Sequence, residues 1–322
     1  MADKKLIAVV GATGAQGGGL ARAILDDPDA GYACRALTRK PTSDAARALV
    51  SRGAEVVQAN LDDEDSLTRA FAGAYGAYCM TNFFEHFSAD KEIEQAANLA
   101  RAAKAAGIRH AIWSTAEDSR DWVPLDDERM PTLQGRYKVP QWDGKAESNH
   151  FFADNGVPTT FLVTCFFWEN FLTPGAPQRP QRGDDGVLAI TLPAADSKIP
   201  GIAAEDVGRC AFGIFKAGNE YVGRTVETAG EHLTGAELAG ALTHALGEEV
   251  RYHHVPLEAL RAAPVPGADM VANMFHFTTE FNEAYCANHD VARSRSLNPR
   301  LQTLAQWLAT QNDRLSMTTV GV

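Results

Sequence analysis

The chain is poor in the features that announce several common classes of protein. Its five cysteines, Cys34, Cys79, Cys165, Cys210 and Cys286, are far apart. They form no C-x-x-C pair and no metal-ligand spacing, and most sit inside apolar strings, so they read as buried reduced thiols. No apolar run reaches membrane-spanning length. The run that follows Met1-Ala2-Asp3-Lys4-Lys5 is too short for a signal peptide. No basic run stands out either: 30 Lys and Arg face 41 Asp and Glu, a formal net charge of -11. The electrostatic footprint of a nucleic-acid partner is therefore missing, and direct nucleic-acid contact is not expected. There is no Ser-His-Asp set, P-loop, metal cluster, internal repeat or low-complexity tail. These absences point to a cytoplasmic protein with neither a membrane nor a nucleic acid as partner. They leave the oligomeric state open.

What is present is enough for a real core. The chain has 322 residues, 45% of them hydrophobic, sufficient for a large α/β domain with an appended lobe. Its organising stretch is Leu6-Ile7-Ala8-Val9-Val10-Gly11-Ala12-Thr13-Gly14-Ala15-Gln16-Gly17. An apolar run stops at a glycine, two more glycines follow at three-residue spacing, and Leu20, Ala21, Ile24 and Leu25 then fall at helix-face spacing. That order is strand, tight turn, helix N-terminus. Glycine there tolerates unusual dihedrals and lets backbone approach a ligand. The first helical turn offers unpaired N–H groups and the positive end of the helix dipole, which suits a pyrophosphate. The motif is G-x-x-G-x-x-G rather than the usual dinucleotide G-x-G-x-x-G.

Strand and helix patterns then alternate. Strands are expected at Ala33–Thr38, Ala54–Ala59, Ala77–Met80, Ala111–Ser114 and Thr159–Val163. Between them lie a helix capped by Thr42 or Ser43, a helix from Ser66 to Phe71, an Ala-rich helix from about Ser88 to Ala106 stopped by Gly107, and a helix near Trp142–Asn155. The fold class is α/β, a doubly wound Rossmann parallel sheet with a smaller α+β C-terminal lobe. Glu117–Pro140 is a polar, proline-bearing excursion of the kind that is commonly functional or mobile. The expected division is 1–165 for the nucleotide-binding domain, with later segments able to rejoin its sheet, and 166–322 for the lobe. The lobe is read as short strands (Val187–Leu192, Thr225–Thr228, Val250–Val255) and helices (Ala204–Lys216, Gly235–Leu246, Leu304–Gln311), entered through the Pro/Gly-rich Thr173–Gly186.

Several positions suggest chemistry. An NAD site wants an acidic residue at the end of the second strand, for the ribose 2′-hydroxyl. Arg39 stands there, followed by Lys40. A guanidinium grips a 2′-phosphate bidentately, which predicts NADP(H) over NAD(H). Asn60-Leu61-Asp62 ends the third strand where an adenine edge would lie, and Asp62 fits an adenine contact or a helix cap equally. Thr81-Asn82-Phe83-Phe84 ends the fourth strand at the ligand edge of such sheets; Phe84 reads as a wall beside the nicotinamide or, slightly preferred, as core. His253 and His254 point to opposite faces of a strand and make no metal pair. His276 reads as a core or surface residue before a substrate contact.

Taken together, Gly11–Gly18, Leu37-Thr38-Arg39, Gly53–Gln58, Thr81-Asn82-Phe83, Trp142-Asp143-Gly144-Lys145 and Trp168-Glu169-Asn170-Phe171 resemble the NmrA-like family, atypical members of the short-chain dehydrogenase/reductase superfamily. The likeness runs from Leu6 to about Leu308. It implies NADP in a cleft between a Rossmann domain and a smaller lobe. By position, Gly11, Thr13, Gly14, Ala15, Gln16 and Gly17 would hold the pyrophosphate and Arg39 the 2′-phosphate. Thr81, Asn82 and Phe83 would sit near the nicotinamide ribose, with Phe166, Phe167 and Trp168 at the nicotinamide end. The usual reductases of the superfamily use a Tyr four residues before a Lys, plus a Ser. Lys145 is kept and Ser114 stands in the Ser place, but the Tyr place holds Gln141, which cannot act as a general acid; Tyr137 lies one turn away. Two functions follow from the resemblance. One is an NADPH-dependent reductase of quinone-like or conjugated carbonyl small molecules, with Lys145 and Ser114 at the reacting end. The other is a non-catalytic NADP/NADPH redox sensor that regulates a protein partner.

Overall fold

A computed structural model describes residues 4–174, 176, 178–311 and 314–315. The N-terminal Met1–Asp3 and, within the Pro/Gly-rich stretch, Gly175 and Pro177 lie outside the described residues. The chain divides into two compact units: residues 1–126, 132–164 and 205–227, and residues 127–131, 165–204 and 228–322.

The first unit is built on six strands in chain order, β1 (Lys5–Val9), β2 (Tyr32–Thr38), β3 (Glu55–Gln58), β4 (Gly76–Cys79), β5 (His110–Thr115) and β6 (Thr159–Val163). A seventh strand, Thr225–Glu227, pairs with β6. The spatial order is Thr225–Glu227, β6, β5, β4, β1, β2, β3, and every pair is parallel. Helices cover the faces: α1 (Ala15–Leu25), α2 (Asp44–Ser51), α3 (Glu64–Phe71), α4 (Ala89–Ala105), α5 (Pro140–Glu147), α6 (Asn149–Asp154) and α7 (Ala204–Lys216). Because both faces are covered, β4 and β5 are buried along their whole length, as expected of central parallel strands. β1 lies between β4 and β2, so the strand order reverses beside it. In open α/β sheets the crevice at such a switch point, at the carboxyl ends of the strands, takes the ligand.

The alanine content of α4 has a packing consequence. Ala96, Leu99, Ala100 and Ala103 form a buried stripe in the same core as Phe71, Trp113 and Phe152, and small side chains let this helix lie close. Ser43, not Thr42, caps α2 by accepting from the Ala46 N–H. Asp63, not Asp62, caps α3 by accepting from the Ser66 N–H. The helix expected over Trp142–Asn155 is two, because the backbone breaks step at Ser148. α7 and Thr225–Glu227, assigned to the lobe from sequence, belong to the first unit: strand order is set by hydrogen bonding across space, which local patterning does not report.

The second unit holds two three-stranded sheets. One orders Glu231–Leu233, Ile199–Ile202 and Phe166–Phe167; the other orders Val250–His254, Leu188–Leu192 and Gln181–Arg182. Its core gathers Trp168, Phe171, Ile190, Leu242, Phe275 and Trp307. The five cysteines are free thiols, four buried and Cys286 half-buried. Among the described residues no helix is long and apolar enough to cross a membrane.

Two expected outcomes concern this framework. α1 and α7 meet backbone to backbone: a Cβ on Gly208 would sit 2.5 Å from Gly19 C and 2.6 Å from Gln16 O, and one on Gly19 would sit 2.6 Å from Glu205 Cα. Backbone cannot swing aside, so Gly208→Ala should cost about 1–3 kcal/mol in urea unfolding. At the foot of β5, burial and then the nearby Lys5 charge push the His110 imidazole down to about 4 from 6.5. A His whose folded pKa is depressed contributes stability above its unfolded pKa and loses it as pH falls. Unfolding free energy should therefore drop between about pH 6.5 and 4, on the order of 3 kcal/mol if this group acts alone. His110→Asn should flatten that slope.

Candidate functional site

The site begins where β1 ends. Gly11 adopts φ +66°, and a Cβ there would lie 2.9 Å from Met80 Sδ. A Cβ on Gly17 would meet the Val10 carbonyl oxygen and lie 2.6 Å from that of Gly11, so only glycine lets α1 start this close to the strand. The Gly14 N–H donates to the Gly11 carbonyl at 2.8 Å and closes the turn. Gly14 is also the N-cap of α1 and brings no side-chain acceptor to the first turn. The helix thus opens with its leading amides uncapped, around exposed Thr13, Gly14 and Ala15. This cradle fits a dinucleotide pyrophosphate: it is shaped for close backbone approach and keeps its donors for an anion. Gln16 ties the turn to the sheet. Its Oε1 accepts from the Tyr78 hydroxyl of β4 at 2.8 Å and the Ser114 hydroxyl of β5 at 3.1 Å. Burial raises the Tyr78 phenol well above its ordinary range, so it serves here as a neutral donor.

Arg39 follows β2 and is two-thirds exposed. Its two terminal nitrogens donate to both oxygens of Glu85, at 2.8 and 2.9 Å. Glu85 closes the 3₁₀ turn Phe83–Glu85 after β4, and Asn82 Nδ2 donates to it at 3.2 Å. The hydrogen bond from Arg39, with the one from Asn82, holds the Glu85 carboxyl below its ordinary range. Since β1 separates β2 from β4, this ion pair spans the switch point. Lys40 is exposed beside it. Asn60 Oδ1 accepts from the Asp62 N–H at 3.3 Å. The Asp62 carboxylate accepts from Gln95 and pairs with Lys91, both at 2.9 Å and both on α4, and these contacts lower its pKa. Of the two roles open to Asp62, the helix cap falls to its neighbour Asp63.

At the other end of the edge stands Lys145, on α5. Its Nζ donates to Thr81 Oγ1 at 2.6 Å and Thr81 O at 3.2 Å, and forms an ion pair with Glu92. It also lies 5.3 Å from the centre of the Trp113 ring. Glu92 is fully buried, accepts a 2.5 Å hydrogen bond from the Thr81 hydroxyl, and faces His86 Nε2 at 3.4 Å. Thr81 is buried and hydrogen-bonded to both members of the pair. The neighbouring Asp143 anchors the polar excursion: its carboxylate accepts from Ser119 N–H and Oγ and from the Lys138 and Val139 N–H groups, at 2.6–2.9 Å. Burial raises the Asp143 pKa, and these bonds oppose the rise. Gln141 is buried one turn before Lys145. Tyr137, within the excursion, is buried and flanked by the Arg120 and Arg136 guanidinium groups at 5.3 and 5.0 Å from its ring centre. Just past β5, burial lifts the Glu117 carboxyl to about 8, and the Glu227 charge adds to the shift.

Residues 3–308 match the NmrA-like family. The chain belongs to that family. Among curated relatives, the NmrA-like family domain-containing oxidoreductase FrzB of a Cladobotryum species is 29% identical over 301 residues, covering 88% of this chain and 86% of FrzB. Among solved structures, NmrA, a negative transcriptional regulator determined in complex with NAD and with NADP, superposes with TM-score 0.76 at 23% identity over 95% of both chains. The NADPH-dependent quinone oxidoreductase QOR2 of Escherichia coli, complexed with NADPH, gives TM-score 0.70 at 23% identity over 94% of this chain and 99% of QOR2. The fold shared with these proteins is the one described above.

In this NmrA-like chain the predicted residues separate into two groups. Gly11 to Gly17, Arg39, Thr81, Asn82, Phe83, Ser114 and Lys145 all lie at or just beyond the carboxyl ends of β1, β2, β4 and β5, or on α5 beside them. Phe166 and Phe167 belong to the second unit, in a short strand paired with Ile199–Ile202. His276 also lies there, its Nδ1 2.9 Å from Arg261 Nη2 and its Nε2 3.3 Å from Glu280. Phe84, taken as core by slight preference, is 57% exposed, while Phe83 is buried. The two rings meet edge to face, with centres 5.8 Å apart, Phe83 on the inner side and Phe84 on the outer. Sequence reasoning missed Glu85, His86, Glu92 and Glu117, and named Asp143 only as part of the Trp142–Lys145 motif, with no role of its own. For Glu92 a signal existed: it falls on the i, i+4, i+7 stripe with Ala96 and Leu99, where a carboxylate demands a partner. Removing that anion leaves the Lys145 ammonium uncompensated. Glu92→Gln should cost about 3 kcal/mol in chemical unfolding, and Glu92→Gln with Lys145→Met should recover at least half of it.

Proposed function

We propose that this protein binds NADP(H) at the β1–α1 turn and uses it to reduce a small quinone-like or conjugated carbonyl acceptor. The observation that carries the reading is the uncapped glycine turn at the switch point, with a guanidinium at the end of β2 where an NAD site would place a carboxylate. The oxidoreductase description of FrzB and the NADPH complex of QOR2 support it. Bound there, NADPH supplies a hydride. The chain's own part is to bind, orient and manage charge. The leading amides of α1 hold the pyrophosphate, and Arg39 holds the 2′-phosphate. Lys145, braced by Glu92 and Thr81, holds the nicotinamide ribose. Ser114 is drawn onto Gln16 and supports the turn. No tyrosine proton donor is needed when the acceptor spreads the added charge over a conjugated ring, and this selects quinones over isolated ketones.

The second reading, a redox sensor, is favoured by one observation: Gln141 stands where the superfamily's proton donor would be. The two readings part on turnover. Purified protein with NADPH and a panel of quinones should consume the reduced nicotinamide absorbance, and Lys145→Ala should slow it at least tenfold. Binding without turnover across the panel would favour the sensor. Arg39→Ser should weaken NADPH by about ten- to a hundredfold in calorimetry and leave NADH unchanged. Equal loss of both would sink the assignment of Arg39.

A further inference from the structure

Arg39 is not idle in this structure: both of its terminal nitrogens are engaged by one carboxylate. Glu85 presents its two oxygens in the bidentate geometry that a phosphate would use. It reaches Arg39 from the far side of β1, held in aim by Asn82 Nδ2. From this we infer that Glu85 sets the cofactor preference of the site by competing with the 2′-phosphate of NADP(H) for the Arg39 guanidinium. The inference rests on the dinucleotide reading given above.

The physical logic is an exchange. NADP(H) must take the same two donors that Glu85 holds, and the displaced carboxylate remains close to a phosphate of like charge. NAD(H) carries no 2′-phosphate and leaves the pair undisturbed. Glu85 therefore lowers affinity for the phosphorylated cofactor alone and narrows the gap between the two. The pair is largely exposed, 65% for the Arg39 side chain and 44% for that of Glu85, so the effect is modest. An exposed bidentate pair is worth no more than about fivefold in an equilibrium, and removing the repulsion acts in the same direction.

The test is a cycle on cofactor binding, read by calorimetry or nucleotide fluorescence and independent of any turnover. Glu85→Gln keeps the shape and removes the charge. It should tighten NADP⁺ and NADPH by about two- to fivefold and should not tighten NAD⁺ or NADH. In an Arg39→Ser background the same change should give a clearly smaller tightening, because only the like-charge repulsion of the phosphate is left to remove once the guanidinium is gone. Unchanged or weaker NADP(H) binding by Glu85→Gln, at an unaltered melting temperature, would overturn the inference. So would equal tightening with and without Arg39. Failure of the wild-type chain to bind either dinucleotide would overturn the cofactor reading as well, which separates the two failures.

Discussion

The closeness with which α1 approaches the end of β1 is the constraint on which the first unit depends. Gly17 stands against the carbonyl oxygens of Val10 and Gly11, and Gly19 and Gly208 let α7 lie against the outer side of the same helix. A helix held this tightly at both faces cannot tilt, so its leading amides keep one direction. The glycines that make this possible also forgo a side-chain cap, leaving the N–H groups with no partner from the chain's own N-cap. Packing and ligand chemistry are thus the same property here: what lets the backbone approach also leaves it polar and available.

The rest of the edge is an arrangement of charge. At one side Arg39 and Glu85 pair in the open, where solvent screening makes the contact cheap to break. At the other, Lys145 and Glu92 pair beneath Thr81, with Glu92 fully buried. A buried pair is costly to break because either partner left alone loses hydration without compensation. The exposed pair can therefore exchange partners, while the buried pair holds one geometry. This difference suits a recognition element and a positioning element respectively. Lys145 is oriented by Glu92 and Thr81, and α5, which carries Gln141 one turn earlier, is pinned through Asp143.

Much of this was legible from residue order. Each of the six strands shows as an apolar run ended by a turn, and the glycine spacing marks the place where strand hands over to helix. The place of Arg39, just past the end of β2, was readable from its distance to that motif. Local patterning failed where the partner lies far along the chain. Thr225–Glu227 has the same short apolar pattern as a lobe strand, and only its hydrogen bonds to Phe161–Val163 assign it to the main sheet. The pairings Arg39–Glu85 and Lys145–Glu92 span 46 and 53 positions, and neither neighbourhood names the partner, although the place of Glu92 on a buried stripe calls for one. Phe83 and Phe84 are identical letters with opposite burial, because in the 3₁₀ turn Phe83 lies on the inner side and Phe84 packs edge to face over it from the solvent side.

The amino-acid order by itself determined the fold class and the glycine turn between β1 and α1, since strand, turn and helix periodicities and the steric freedom of glycine are local properties. The tertiary structure alone decided which charges meet: that Arg39 already holds a carboxylate, that Lys145 is braced by a buried glutamate, and that a late strand joins the edge of the sheet. Coulomb attraction and desolvation depend on distance in space, and that distance is set only when the parallel crossovers bring strand ends together at one edge.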